Sequence, residues 1–219
     1  MDQEKLVHII KEITVKTLEK QNEKLNEIPI AVSNRHVHLS TLHLERLFGK
    51  GYQLQKLKDL SQPNQFAAKE TVTLIGAKGK IEKVRVLGPA RGETQVEVSL
   101  YDGYTLGVTP PIRNSGDIEG SPAITIQGPR GQIKLEKGLI CAARHIHMHT
   151  SDAEKLEVRD GEHVQIKVAG ERGVIFDHVL IRVSPHYRLE MHIDLDEANA
   201  AHIQNGQIGT LIKLKGGKK

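Results

Sequence analysis

The sequence predicts a mainly β protein: two small β-barrels with short capping helices, preceded by a separate amphipathic helix. Three observations lead there. Short β-rich stretches recur along most of the 219 residues, punctuated by Gly, Pro and Asp-Gly. The tetrapeptide Arg-His-x-His occurs twice, as Arg35-His36-Val37-His38 and, 109 residues later, as Arg144-His145-Ile146-His147. An apolar stripe at helical spacing stands ahead of the first copy, separated from it by a highly polar run.

The stripe is Leu6, Ile9, Ile10 and Ile13, with Leu18 nearby, so a helix is expected from about Gln3 to Leu25. The run from Glu19 to Glu27 reads as a tether. A helix with one apolar face on a tether docks on something: its own body, a second copy or a different partner. Strands are expected from Ile28 onward, at Thr71–Ile75, Ile81–Leu87, Thr94–Leu100, Ala123–Gln127, His163–Val168, Leu189–Ile193 and Gln207–Leu214. Turns are expected at Gly88-Pro89, Asp102-Gly103, Gly128-Pro129 and Asp160-Gly161. A short helix follows each His-x-His. Ser40 caps Thr41 to Phe48, with Gly49 as its stop. Ser151 with Glu154 resembles a capping box for the second. A third short helix, Asp196 to Ala201, follows a strand bearing His192. The duplicated units begin near Ile28 and Leu139, since Ile30–Asn34 and Leu139–Ala143 precede the two motifs in matching positions.

Composition narrows the class. Hydrophobic residues make up 38% and charged residues 26%, which suits a globular chain. Aromatics are 3% with no Trp, which counts against base stacking and hence nucleic-acid binding as the activity. The net charge of +4 suits an anionic substrate, although several lysines sit at the extreme C-terminus as ordinary solvated charges. One cysteine, Cys141, leaves no intrachain disulfide and favours a reducing compartment. The first residues lack the basic-then-apolar profile of a signal peptide, and no apolar run reaches the roughly 20 residues that span a bilayer. A cytoplasmic protein without a membrane partner is expected.

Alternate side chains of a strand share a face, so His36 looks the same way as His38, and His145 the same way as His147. A single pair is more often a polar strand face than a ligand pair. Two pairs in matching flanks point instead to a metal centre where two halves meet, because neutral imidazole is a common ligand for zinc-like ions. Glu97 lies mid-strand, on the face opposite Val96 and Val98, and His192 lies mid-strand between Met191 and Ile193. Either alone reads as a solvated residue; with the four histidines they can hold two ions. Arg91, alone in the Gly88–Thr94 segment just ahead of the Glu97 strand, is placed to grip a phosphate or carboxylate. Cys141 reads as a small core residue rather than a nucleophile. The remaining histidines read as surface or packing residues.

Several of these segments resemble the PduL-type phosphate propanoyltransferase (phosphotransacylase) family. They are Ile30–Ser40, Gly88–Arg91, Gln95–Ser99, Arg144–Met148 and His192–Asn199, in that order, and the resemblance covers roughly Ile28 to Leu214. It implies two β-barrels with the metal site at their interface, one built from 28–34 plus 143–214 and the other from 35–142, after a helix and tether over 1–27. It further implies exchange of a short-chain acyl group, propanoyl or acetyl, between CoA and phosphate, with phosphate held at the metals attacking the thioester directly. Two divalent ions per chain, zinc by resemblance, fall to His36, His38 and Glu97 and to His145, His147 and His192; Arg91 matches the phosphate-contacting arginine. Ser33, Lys58, Arg85, Leu87 and Asn199 are the implied CoA contacts. Residues 2–25 match an extension that directs family members to the shell of a bacterial microcompartment, so the expected setting is that compartment in a bacterial cytoplasm, with a homodimer as the expected assembly. The competing readings are a metal-dependent hydrolase or cupin-like enzyme, and a non-catalytic, metal-binding, shell-associated protein. A cupin carries a Glu a few residues after its His-x-His, whereas here Glu45 comes seven after His38, on an expected helix.

Overall fold

The computed structural model describes residues 5–14 and 26–214. Residues 5–14 form a helix, α1, and all ten are exposed. Leu6 is 41% and Ile13 60% exposed, so the apolar stripe is not buried in the barrels. The rest of the expected 3–25 helix, Leu18 included, and most of the expected tether lie outside the described residues.

The body follows in chain order. It opens with β1 (Glu27–Ser33), β2 (His36–Ser40), α2 (Thr41–Phe48), β3 (Lys56–Asp59), β4 (Phe66–Ile75) and β5 (Lys80–Arg91). Next come β6 (Gln95–Glu97), α3 (Leu100–Leu106), β7 (Ile112–Arg113), β8 (Ile124–Gln127), β9 (Gln132–Leu135) and β10 (Leu139–Ala142). The last part holds β11 (His145–Met148), α4 (Thr150–Leu156), β12 (His163–Val168), β13 (Val174–Val183), β14 (Glu190–Asp194), α5 (Leu195–Ala201) and β15 (Ile208–Ile212). The mainly β class expected from the alternation is what forms. Six strands close into a barrel in the order β1-β14-β11-β13-β12-β15. The other strands make one sheet in the order β7-β10-β6-β2-β5-β4-β8-β9, with β3 on the edge of β4. That second sheet stays open, a half-barrel beside a closed barrel.

Alternation explains both cores. Ile146 and Met148 point into the closed barrel with Ile28, Ile30, Met191 and Ile193, and this turns His145, His147 and His192 outward. Val37 and Leu39 pack into the half-barrel core with Val86, Val96 and Leu74, which turns His36 and His38 the other way. Ile146 has no exposed surface, and truncating a side chain so placed typically costs about 2–5 kcal/mol. The apolar alternation therefore holds each His-x-His in place from behind.

Local expectations fared unevenly. Ser40 caps α2 by accepting from the His43 N–H, and Gly49 ends it at φ 117°, a conformation that favours glycine. The second motif's helix is capped by His149, whose ring accepts from the Ser151 N–H, rather than by a Ser151–Glu154 box; the helix starts two residues earlier than that box would place it, at Thr150. Gly88-Pro89 is no turn. It lies inside β5, and a Cβ at Gly88 would stand 2.2 Å from the Phe66 ring. Asp102-Gly103 is no turn either. Ser99 and Asp102 form a reciprocal capping box that starts α3, so the expected strand over Thr94–Leu100 shrinks to Gln95–Glu97. The long strand β13 was hidden by Asp177-His178, where His178 takes φ 51°.

Candidate active site

Two strand pairs build the site, and they are built alike. On the half-barrel β2 runs antiparallel to β6, with His36 opposite Glu97 and His38 opposite Gln95. On the closed barrel β11 runs antiparallel to β14, with His145 opposite His192 and His147 opposite Glu190. In each half the first histidine of the motif faces the third residue of a triplet. Each first histidine is also held by the carbonyl two residues back: His36 Nδ1 lies 2.8 Å from the Asn34 oxygen and His145 Nδ1 2.8 Å from the Ala143 oxygen. A carbonyl can only accept, so Nδ1 carries a proton in both rings, and Nε2 is the nitrogen each ring can turn toward a metal ion.

The electrostatics ionise Glu97 and favour the neutral form of His38, His145 and His147. Burial favours the neutral acid at Glu97, but His36 beside it, the hydrogen bond between them and His38 outweigh that and hold the carboxyl well below the usual carboxylate range. Its Oε1 accepts from Gln95 Nε2 at 2.6 Å and from Ser115 Oγ at 2.9 Å, and its Oε2 lies 3.3 Å from His36 Nε2. Burial also works to lower His36, yet the Glu97 carboxylate leaves its pKa raised. His38 is pushed well below the ordinary value by burial and then by His36 and Arg91. Burial and then His192 bring His145 down to about 4; burial, His145 and His192 bring His147 down to about 2.

Such groups fit a metal ion. His36, His38 and Glu97 present donor atoms that all lie within 4.8 Å of one another. His38 Nδ1, His147 Nδ1 and His192 Nε2 are buried without a hydrogen-bond partner, a costly condition that a cation relieves. Glu190 Oε2 does lie 3.3 Å from His192 Nε2, but not aligned as a hydrogen bond. The rings of His145, His147 and His192 gather with centroids 4.7–5.2 Å apart. This second group is looser than the first.

Both groups open onto one cleft of about 780 Å³ between the barrel and the half-barrel. Arg91, from the end of β5, lines it, as do Ser33, Lys58, Arg85 and Leu87. Arg85 also donates to the Ala68 and Lys69 carbonyls, which fixes its guanidinium in the wall. Asn199 does not line the cleft: it is exposed on α5, so the fold does not bring it to the others. Among the lining residues that the sequence did not point to, two flank His147. Arg182 on β13 sits beside His147 in register, and Tyr187 lies with its ring 4.4 Å from that of His147. Neither guanidinium, Arg91 or Arg182, has a hydrogen bond or ion pair with a side chain or carbonyl among the described residues. An arginine on a strand that no pattern had revealed carried no signal to find it by.

Two histidine-rich triplets, a buried ionised glutamate and two arginines around one cleft are the equipment of an enzyme that acts on an anionic substrate. The family described as phosphate propanoyltransferase matches residues 29–204, and the chain belongs to that family of acyltransferases. Similar proteins carry the same name. That of Thermotoga maritima is 56% identical over 188 residues, 85% of this chain and 90% of its own. That of Priestia megaterium is 54% identical over 211 residues, 96% of this chain and 97% of its own. That of Alkaliphilus metalliredigens is 46% identical over 213 residues, 97% of this chain and all of its own. Among the described residues no helix is long and apolar enough to cross a membrane.

Proposed function

We propose that this chain interconverts a short-chain acyl-CoA, propanoyl or acetyl, and phosphate with the acyl phosphate and free CoA. A phosphate oxygen attacks the thioester carbon, the carbon–sulfur bond breaks and CoA leaves as its thiolate. The observation that carries the reading is the meeting, in one cleft, of two triplets of candidate ligand side chains with two arginines that make no hydrogen bond or ion pair among the described residues. His36, His38 and Glu97 would hold one divalent ion, zinc as the family resemblance implies, and His145, His147 and His192 a second. Bound there, such ions supply positive charge against the phosphate and the developing oxyanion. Arg91 and Arg182 bind phosphate oxygens and hold the nucleophile in line with the carbonyl carbon. Lys58 and Arg85 take the phosphates of CoA, Ser33 and Leu87 its arm, and Asn199 is left out.

The rivals explain less. A cupin-like hydrolase takes its glutamate from just beyond the His-x-His, whereas Glu97 comes from a different strand, opposite His36. A metal-binding protein without catalysis leaves the two arginines without a purpose. The deciding experiment is release of free thiol from propanoyl-CoA with and without phosphate, alongside elemental analysis of the purified chain. Phosphate-dependent release with close to two zinc-like ions per chain is expected. Thiol release independent of phosphate sinks the transfer reading, and a metal-free chain active in chelator sinks the metal reading.

Cys141 has no place in this chemistry. It is buried, its thiol donates to Asp194 Oδ2 at 3.3 Å, and burial followed by Asp194 pushes its pKa far up, so no thiolate is at hand. Cys141→Ala is expected to keep most of the activity. An acyl group trapped on Cys141 and seen by mass spectrometry would overturn direct transfer.

The same reading assigns the chain's units and setting. Residues 28–34 with 143–214 act as one unit and 35–142 as the other, behind a helix and tether over 1–27. The exposed stripe of α1 would meet the shell of a bacterial microcompartment in the cytoplasm, and the catalytic body would pair as a dimer. Isolated helices this short are marginal in water, so the stripe needs a partner surface to order it. Deleting residues 2–25 should leave the transfer rate nearly unchanged and abolish co-localisation with shells. A truncated chain that enters shells as efficiently as the full one removes the helix from that role.

A further inference from the structure

We propose that Arg35 and Arg144, the arginines that open the two Arg-His-x-His motifs, are positioning residues, each clamping one triplet of ligand side chains into register. The proposal rests on the reading of those triplets as metal sites.

The evidence is a device built twice from different parts. Glu97 ends β6; two residues on, Ser99 caps α3, and three further on Asp102 completes the capping box. His192 lies in β14; two residues on, Asp194 caps α5, and three further on Glu197 completes the box. The third ligand of each triplet is thus followed at the same distance by an acidic residue whose backbone position is set by a helix start. Arg35 grips Asp102 with two parallel bonds, Nε to Oδ2 at 2.9 Å and Nη2 to Oδ1 at 2.8 Å. Arg144 Nε meets Glu197 Oε1 at 2.7 Å. Each acid is doubly used. Asp102 also accepts from the Ser99 N–H, and Glu197 also accepts from the Asp194 N–H. Each arginine stands immediately before the first histidine of its motif, so each bridge joins the strand carrying two ligands to the turn that follows the third.

Sequence identity does not account for the match. The partner is an aspartate in one half and a glutamate in the other, and the third ligand is a carboxylate in one and an imidazole in the other. What recurs is the geometry. Backbone pairing and the buried apolar faces set His36 opposite Glu97 and His145 opposite His192; each bridge adds a side-chain link from the first histidine's strand to the helix start that follows the third ligand. Asp102 is 3% exposed, so its carboxylate meets the half-buried Arg35 largely out of water, and the two-bond fork makes the pairing geometrically strict. Groups that orient metal ligands from behind are typically worth about 10- to 100-fold in metal affinity.

The test separates a clamp on one triplet from a general prop of the fold. In full-length chain carrying His38→Ala, the zinc retained reports the second triplet; in chain carrying His147→Ala, it reports the first. Arg144→Ala is expected to weaken zinc about 10- to 100-fold, by competition with a chelator, in the His38→Ala background and to leave it unchanged in the His147→Ala background. Arg35→Ala is expected to do the reverse. Asp102→Asn and Glu197→Gln keep the capping bonds while removing the charge, and each should reproduce the loss of its own arginine if an alanine variant folds poorly. Thermal unfolding of the metal-free chains accompanies each measurement. Unchanged zinc affinity in all four variants overturns the proposal, and so does equal weakening of both triplets by either arginine. If instead the His38→Ala and His147→Ala chains each hold as much zinc as the unmodified chain, or that chain holds none, the metal reading itself fails.

Discussion

Glu97→Gln is expected to lower the rate of acyl transfer on the order of 1000-fold, the upper range for losing one charged group at a preorganised site, and to strip the ion held by His36 and His38. Glu97 is the sole carboxylate among the six ligand candidates, and its surroundings are arranged to keep it ionised: Gln95 and Ser115 both donate to Oε1, while Oε2 faces the His36 ring. Glutamine preserves the shape and can still accept from Ser115. It removes the charge that draws a cation into a buried site, and it leaves two buried imidazoles without a counter-charge. Glu97→Ala should be worse for folding as well, since Gln95 and Ser115 lose a buried acceptor at a cost of about 1–3 kcal/mol. Elemental analysis, a thermal melt and phosphate-dependent thiol release check the three parts separately. A glutamine variant with full metal content and a wild-type rate would falsify the role given to Glu97.

Arg91→Ala is expected to leave the fold and the metal content intact and to lower the rate by about 100-fold or more in both directions of the reaction. Among the described residues the guanidinium makes no hydrogen bond or ion pair where it lines the cleft, so its removal leaves no described group without its partner. Its fork suits two phosphate oxygens at once, which a lysine cannot match; Arg91→Lys should therefore recover only part of the loss. Arg182, beside His147 and likewise without a hydrogen bond or ion pair among the described residues, approaches the same space from the closed barrel. Arg182→Ala should act mainly through the phosphate KM if its contact exists in the ground state, and through kcat if it strengthens as charge builds. Steady-state kinetics with phosphate and with acyl phosphate decide this. Wild-type constants in the Arg91 variant remove it from the site.

Much of this was legible in the chain because the signals are local. A period of two in Thr94–Ser99 and in Leu189–Ile193 is a property of consecutive residues, and it placed Glu97 and His192 on faces opposite their apolar neighbours. Ser40 ahead of a short amphipathic stretch is likewise a local statement, and it forms the cap expected of it. Local signals also misled. Asp102-Gly103 has the composition of a turn, yet Ser99 three residues earlier turns Asp102 into the second half of a helix start. Arg182 had no local signature at all; it matters because β13 lies beside β11, which places it next to His147.

The sequence by itself determined the mainly β class, the two pairs of same-facing histidines, their duplication and the presence of an amphipathic N-terminal segment. All follow from spacing along the chain, which sets side-chain direction within a strand or helix whatever the rest of the molecule does. Only the tertiary structure decided which third residue faces each pair, that one unit closes into a barrel while the other stays open, that Asn199 falls outside the cleft and that Arg35 and Arg144 reach the caps of α3 and α5. Those outcomes depend on register between strands far apart in sequence. Register is settled by which side chains both cores can bury together, and no window of neighbouring residues contains that information.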